Sequence, residues 1–234
     1  IEMVPNPHWW NRGIVRLTKL HAGANDDLNT AYNEYLSGAV DWIKAVPQKR
    51  IDEVQAHTDY YVWPYLGSYF FRFNVTQAPF DNVLVRKAFN QAVNKASLCR
   101  DTLKAGQIPS MGHVPPGFAG YRQLEGLPYD PAAAKALLAE AGYPGGAGFP
   151  SVALTYNTSE SHKQVCEVVA SMWKEVLGVD VKLRNSEWQV YLEEVDKLRY
   201  QVARAGWIGD YGDPNTFMDM FVTGGGNNST GWGD

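Results

Sequence analysis

The side chains best placed to do chemistry lie in VARAGWIGDYGDPNTF, Val202 to Phe217, where Arg204, Trp207 and Asp210 are spaced along a run of small residues. Ala203, Ala205, Gly206 and Gly209 leave little side chain beside Trp207. Glycine inside a strand often marks a place where a second backbone comes close. Arg204 and Asp210 put opposite charges near the two ends of an edge that could pair with an extended peptide, each facing the opposite charge of a peptide terminus. On these residues alone the plainer reading is favoured, a half-buried strand that exits into a polar loop, as in many folds where it has no function.

Enzymatic readings are weaker. Glu187, Glu193, Glu194, Asp210 and Asp213 could supply the paired carboxylates of a glycosidase, with tryptophans as sugar platforms. Glu193 and Glu194, however, fall on a helix face that is ordinarily just solvated. Ser161, His162 and Asp210 could be read as a catalytic triad, but neighbouring Ser and His at a helix start cannot point at each other. His162 has no partner at metal-ligand spacing, and Cys99 and Cys166 form neither a CxxC nor a Cys/His pattern. Both cysteines fall on predicted helices and are expected to be free buried thiols. No nucleophile elbow, P-loop or HExxH occurs, so the expectation is a protein that is no enzyme and uses no metal or cofactor. His8, His21, His57 and His113 are scattered and read as ordinary surface or core residues.

Composition narrows the class. With 234 residues, 45% of them hydrophobic and 20% charged, the chain has the make-up of one large globular domain or parts of two. A net charge of -4 and the lack of any basic stripe argue against nucleic acid or an anionic membrane as partner. Eight tryptophans and thirteen tyrosines exceed ordinary core needs, and such aromatics often line solute sites. No apolar run reaches the length of a membrane span and no leader opens the chain. The start at Ile1 and the end at Asp234 within a Gly/Asn/Ser-rich stretch make it read as an internal piece of something longer.

The elements that must position these residues follow from periodicity. Ile14 to Leu20 reads as a strand, Asn25 or Asp26 as the cap of a helix through Leu36, and Ala39 to Val46 as a second strand, giving a β-α-β unit followed by a short helix near Gln48 to Ala56. After Pro64 the composition shifts, and the alternation from Ser68 to Val75, apolar on both faces, predicts a central strand. Helices are predicted around Val85 to Val93, Ala96 to Ala105 and Ala132 to Ala141, the last capped by Asp130 and opened by Pro131. Ile108 to Leu127 reads as a long loop. From Val152 onward the order is βαβαβ: strands Val152 to Tyr156, Val179 to Leu183 and Tyr200 to Ile208, with helices Ser159 to Leu177 and Glu187 to Leu198. Ser186 and Gln189 are expected to form a capping box for the second helix. Parallel strands of this kind gather loops at their carboxyl ends, which predicts His162, Trp188, Arg204, Trp207 and Asp210 in one neighbourhood.

The ordered series NPHWW (6 to 10), YLSGAVDWI (35 to 43), APFDNVLVRKAFNQAVNK (78 to 95), DPAAAKALLAEAGYP (130 to 144), WKEVLGVDVKL (173 to 183) and RAGWIGDYGDP (204 to 214) resembles the family-5 extracytoplasmic solute-binding proteins, the oligopeptide and dipeptide receptors of ABC importers. The resemblance covers essentially the whole chain. It implies an α/β fold, a periplasmic-binding-protein type II-like lobe with βαβαβ organisation plus part of the first lobe: residues 1–65 a returning portion of the first lobe, and residues 66–234 a second lobe truncated at its C-terminal end. It also implies a periplasmic or extracytoplasmic, membrane-associated monomer that binds a small peptide and hands it to membrane permease subunits. By the family's motif, Asp210 would hold the ligand's α-ammonium, and Arg204, Ala205, Gly206, Trp207 and Ile208 would pair with its main chain. Arg204 and His162 would meet its carboxylate, and Trp207 and Trp188 would wall side-chain pockets. Some relatives carry a cysteine pair at the positions of Gly67 and Ile208, which this chain lacks, and Lys104 matches a carboxylate-receiving position only weakly. Relatives that take nickel complexes, haem, opines or oligosaccharides leave the solute open, and Asp210 beside Arg204 tilts the reading to peptides.

Overall fold

The computed structural model describes every residue except Asp26, Pro64 and Asp234. The chain divides into two compact units, Ile1–Tyr60 and Tyr61–Asp234. In the first, a short antiparallel pair joins β1 (Glu2–Met3) to β2 (Leu20–His21). Helix α1 (Leu28–Leu36) follows, and its cap is Asp27, whose carboxylate accepts the Thr30 N–H at 2.7 Å and is held below its ordinary pKa by that bond. Of the two predicted caps, Asn25 instead accepts the Asp27 N–H at 3.1 Å, and Asp26 lies outside the described residues. Gly38, at φ +75, takes the left-handed turn that ends the helix. A single 3-10 turn, Gln48–Arg50, leads into α2 (Ile51–Val54).

The predicted strands from 14 to 20 and from 39 to 46 do not form. Arg12–Ile14 is a 3-10 turn, only Leu20 of the first run pairs, and the second run carries no strand. A strand needs a paired neighbour and an apolar face to bury. This unit buries few large side chains, chiefly Tyr32, Ile51 and Val54, whereas Ile14, Leu17 and Trp42 are exposed. Trp9 and Trp10 meet edge to face at 6.0 Å, and Trp10 lies in solvent rather than in a core.

The second unit is built on a sheet in the order β3-β6-β4-β5. Its elements are β3 (Gly67–Phe73), α3 (Val83–Gln91), α4 (Lys95–Ser97) continued by a π-helical turn Leu98–Leu103, α5 (Pro131–Glu140), β4 (Val152–Asn157), α6 (Glu160–Leu177), β5 (Val181–Ser186), α7 (Trp188–Asp196), β6 (Val202–Ile208) and α8 (Asn215–Met218). Strands β4, β5 and β6 run parallel and β3 is antiparallel to β6, so the βαβαβ reading holds and gains one flanking strand. β3 is an edge strand, not a central one. Its apolar character on both faces has another cause: Phe71 and Phe73 pack on the main core, while the Phe70 ring meets His113 at 4.6 Å from the other side. Among the described residues no helix is long and apolar enough to cross a membrane.

The main core fills the face covered by α3, α5 and α6. Trp173 is 1% exposed, its indole N–H donates to the Phe89 carbonyl at 2.9 Å, and the two rings lie 4.9 Å apart, so it is core, as its helical spacing requires. Asn74, fully buried just beyond β3, locks the lead-in to β6. Its amide donates to the carbonyls of Leu198 and Tyr200 at 2.9 and 3.0 Å and accepts from the N–H and hydroxyl of Thr76. α7 is not opened by the expected capping box. Glu187 caps it by accepting the Gln189 N–H at 2.8 Å, while Ser186 still belongs to β5 and its hydroxyl donates to Glu194.

Candidate functional site

β6 is flanked by β3 along its whole length, so the run from Val202 is an interior strand rather than a simple edge. Its other side differs along the strand. β4 pairs with it only at Val202 and Ala203 and ends at Asn157, whereas β6 continues to Ile208. In an antiparallel pair the backbone groups of successive residues point alternately toward the partner and away. The bonds Asn74 N–H to Gln201 C=O and Gly209 N–H to Leu66 C=O set the phase, turning odd-numbered residues toward β3. Gly206 and Ile208 therefore direct N–H and C=O into the lane past the carboxyl end of β4, and both are exposed. Such crevices beyond the carboxyl ends of parallel strands are where α/β sheets take ligands. Gly67 and Ile208 stand directly opposite each other in the register.

Arg204 lies on the α6 face. Its guanidinium sits over the Tyr69 ring at 4.8 Å and donates through Nη1 to Asn157 Oδ1 at 3.2 Å. Its Nε is buried without a hydrogen-bond partner, and no carboxylate among the described residues pairs with it. His162, in the first turn of α6, brings Nδ1 within 3.4 Å of the Tyr69 hydroxyl. Burial, and then the charge of Arg204, push its pKa down to about 4, so the ring is neutral at neutral pH. One turn further on, the Cys166 thiol is buried and pushed up to about 12 by desolvation, which makes it inert. Cys99 is free too, but only half-buried, against the expectation of two buried thiols.

Trp207 lies on the opposite face. Its indole N–H donates to the buried hydroxyl of Thr216 at 3.3 Å, and the same oxygen accepts the Asp210 N–H at 3.2 Å, so one threonine fixes both the ring and the turn after the strand. The Asp210 carboxylate is exposed and has no hydrogen bond or ion pair among the described residues. Trp188 opens α7 and stacks on Tyr191 at 5.9 Å, and the Tyr191 hydroxyl donates to the carbonyl of Arg204. Ala205 is buried beneath α7.

The five residues predicted as one neighbourhood thus fall into three places. Arg204 and His162 share the α6 face, Trp188 and Trp207 the α7 face, and Asp210 lies past the strand end. The reason is parity: strand side chains alternate, so positions 204 and 207 must point to opposite faces. Tyr69, Asn157, Tyr191 and Thr216 were missed as site-builders. Tyr69 and Asn157 meet Arg204 through pairing register, which local periodicity does not carry, whereas the spacing of Thr216 after Trp207 was available as a turn signal. The rival carboxylates are occupied elsewhere. Glu193 pairs with Lys197 at 2.6 Å, Glu194 with Arg184 at 2.9 Å, and Asp213 accepts the Asn215 N–H at 2.8 Å in the turn before α8. Among the described residues no group of His, Cys, Asp or Glu could hold a metal ion.

A family profile described as bacterial extracellular solute-binding proteins, family 5, middle region, matches residues 1–229. The chain belongs to this family. It is 33% identical over 244 aligned residues to the oligopeptide-binding protein OppA of Bacillus subtilis, covering 99% of this chain and 45% of that protein. The structure of the Escherichia coli murein tripeptide binding protein MppA superposes with a TM-score of 0.89 at 31% identity, over 100% of this chain and 47% of that one. Haemophilus influenzae OppA in complex with RPPGFSPFR superposes with a TM-score of 0.85 at 31% identity, over 100% of this chain and 48% of that one. The chain therefore spans about half the length of the relatives it matches, and its neighbours carry the type II periplasmic-binding fold.

Proposed function

We propose that this chain is the ligand-facing part of an extracytoplasmic receptor of an ABC importer, one that captures oligopeptides or dipeptides in extended conformation. The open half of β6 is the observation that carries this reading. Gly206 and Ile208 offer backbone hydrogen bonds to an added strand, a mode that ignores side-chain identity. Arg204 and Asp210, neither paired with an opposite charge among the described residues, stand at the two ends of that stretch and match the two charges of a free peptide. With its amine at Asp210 and its carboxylate at Arg204, the peptide runs antiparallel to β6. His162 and the first turn of α6, where the helix dipole favours an anion, flank the carboxylate end. Trp207 and Trp188 border the space for side chains on the α7 face.

In this reading residues 1–65 are a returning part of a first lobe and residues 66–234 most of a second. The whole receptor is a monomer that closes over peptide and docks on membrane permease subunits at the outer face of the membrane. The test uses the whole receptor with Asp210→Ala. Affinity for free-amine peptides is expected to fall at least tenfold more than affinity for the same peptides N-acetylated. Equal losses for both would refute the role of Asp210.

A further inference from the structure

On the α7 side of the sheet, the second unit holds a cleft of about 730 Å³ bounded by β6, with Arg204 in its lining, by α7 and by the loop from Met220 to Ser229. Arg72 reaches it from β3, where it stands across from Ala203, and the small side chain of Ala205 is among its walls. The guanidinium lies over the Phe70 ring at 5.7 Å. Its Nε is buried without a hydrogen bond, and no carboxylate among the described residues pairs with it. A second buried nitrogen, Nε2 of His113, is also without a partner, and this ring meets the Phe70 ring edge to face at 4.6 Å. Two carboxylates stand at the cleft. Glu193 is bound to Lys197 at 2.6 Å, and Asp196 is exposed to solvent and beyond ion-pair reach of Arg72. A half-buried guanidinium whose Nε is unsatisfied and which has no carboxylate partner is matched by a carboxylate better than by any other common group.

The cleft is continuous with the open stretch of β6, since Gly206 and Trp207 line both. Side chains of an extended peptide in that lane alternate between the two faces of the sheet, so every second one is directed toward α7. We propose that this cleft receives an acidic side chain of the bound peptide, with Arg72 as its counter-ion, making the receptor selective for Asp or Glu at one position. The inference rests on the peptide reading above and adds to it a side-chain preference.

The test is calorimetric titration of the whole receptor, as wild type, Arg72→Gln and Arg72→Lys, with polyalanine peptides carrying a single Glu or Gln at each position in turn. Hydrogen bonds to a charged group set the expected preference for Glu over Gln at one position at about tenfold to a hundredfold. Arg72→Gln is expected to abolish that preference and leave the all-alanine peptide within about twofold, and Arg72→Lys to keep part of it. The wild-type comparison needs no variant to fold. Binding of the all-alanine peptide without a Glu preference at any position would overturn the inference. A carboxylate supplied to Arg72 by another part of the receptor would give that same null result, together with a lower melting temperature for Arg72→Gln without ligand. Failure of every peptide to bind would overturn the peptide reading itself and this inference with it.

Discussion

Replacing Arg204 by methionine separates ligand recognition from folding more cleanly than any other change at this site. The side chain has a cation–π contact with Tyr69 and one hydrogen bond to Asn157, together about 1 to 3 kcal/mol. Against that stands a half-buried guanidinium whose Nε is unsatisfied and which has no carboxylate partner, and relieving it recovers a similar amount. The fold is therefore expected to keep its stability within about 1 kcal/mol, since methionine preserves the apolar stem. Ligand affinity is a different matter. A hydrogen bond to a charged carboxylate contributes about 1.5 to 3 kcal/mol, so a peptide with a free C-terminus is expected to lose about tenfold to 150-fold in Kd. The same peptide as a C-terminal amide is expected to change about twofold at most. Isothermal titration of the whole receptor with acid and amide forms, alongside chemical denaturation, gives both numbers. Equal losses for the two forms, or a loss of several kcal/mol in stability, would refute the assignment of Arg204 to the carboxylate end.

Ile208→Pro removes an N–H that faces the open lane without touching the bonds to β3, so peptide affinity is expected to fall about fivefold or more while melting shifts little; unchanged affinity would count against strand addition. Asn74→Ala leaves the carbonyl of Tyr200 without its buried donor, while that of Leu198 keeps the Gln77 amide at 3.3 Å, and a loss of about 1 to 3 kcal/mol is expected in urea unfolding. His162 has a folded pKa near 4 against an ordinary 6.5. The unfolded chain therefore binds the proton first: stability is expected to fall as pH drops from about 6.5 toward 4, with no further loss from this group below that. For a half-buried ring the effect is about 1 to 2 kcal/mol, and unfolding of His162→Gln measured at pH 7 and pH 4.5 is expected to lack it.

Much of the second unit was legible in the residues. α5 announces itself through Asp130, Pro131 and an alanine-rich body, and α6 through the stripe of Val165, Val169, Trp173 and Val176, because caps and helical spacing are local signals. The order of strands was not local. β3 reads as central from its two apolar faces, yet those faces are covered by α6 and by the loop around His113 while its outer edge is unpaired in the sheet. In the first unit, the run from Ile14 to Leu20 reads as a strand but has no buried surface to make one. At the site, charges at 204 and 210 were readable as the ends of a stretch of backbone. That half of β6 outruns β4, and that Tyr69 and Asn157 hold Arg204, depends on register between segments far apart in sequence.

The central claim, that a peptide lies along the open half of β6, is tested most directly by mass spectrometry of the solute that co-purifies with the whole receptor under gentle conditions. Short peptides of mixed sequence with free termini are the expected result. A sugar, a metal chelate or haem in their place, with no peptide present, would contradict it.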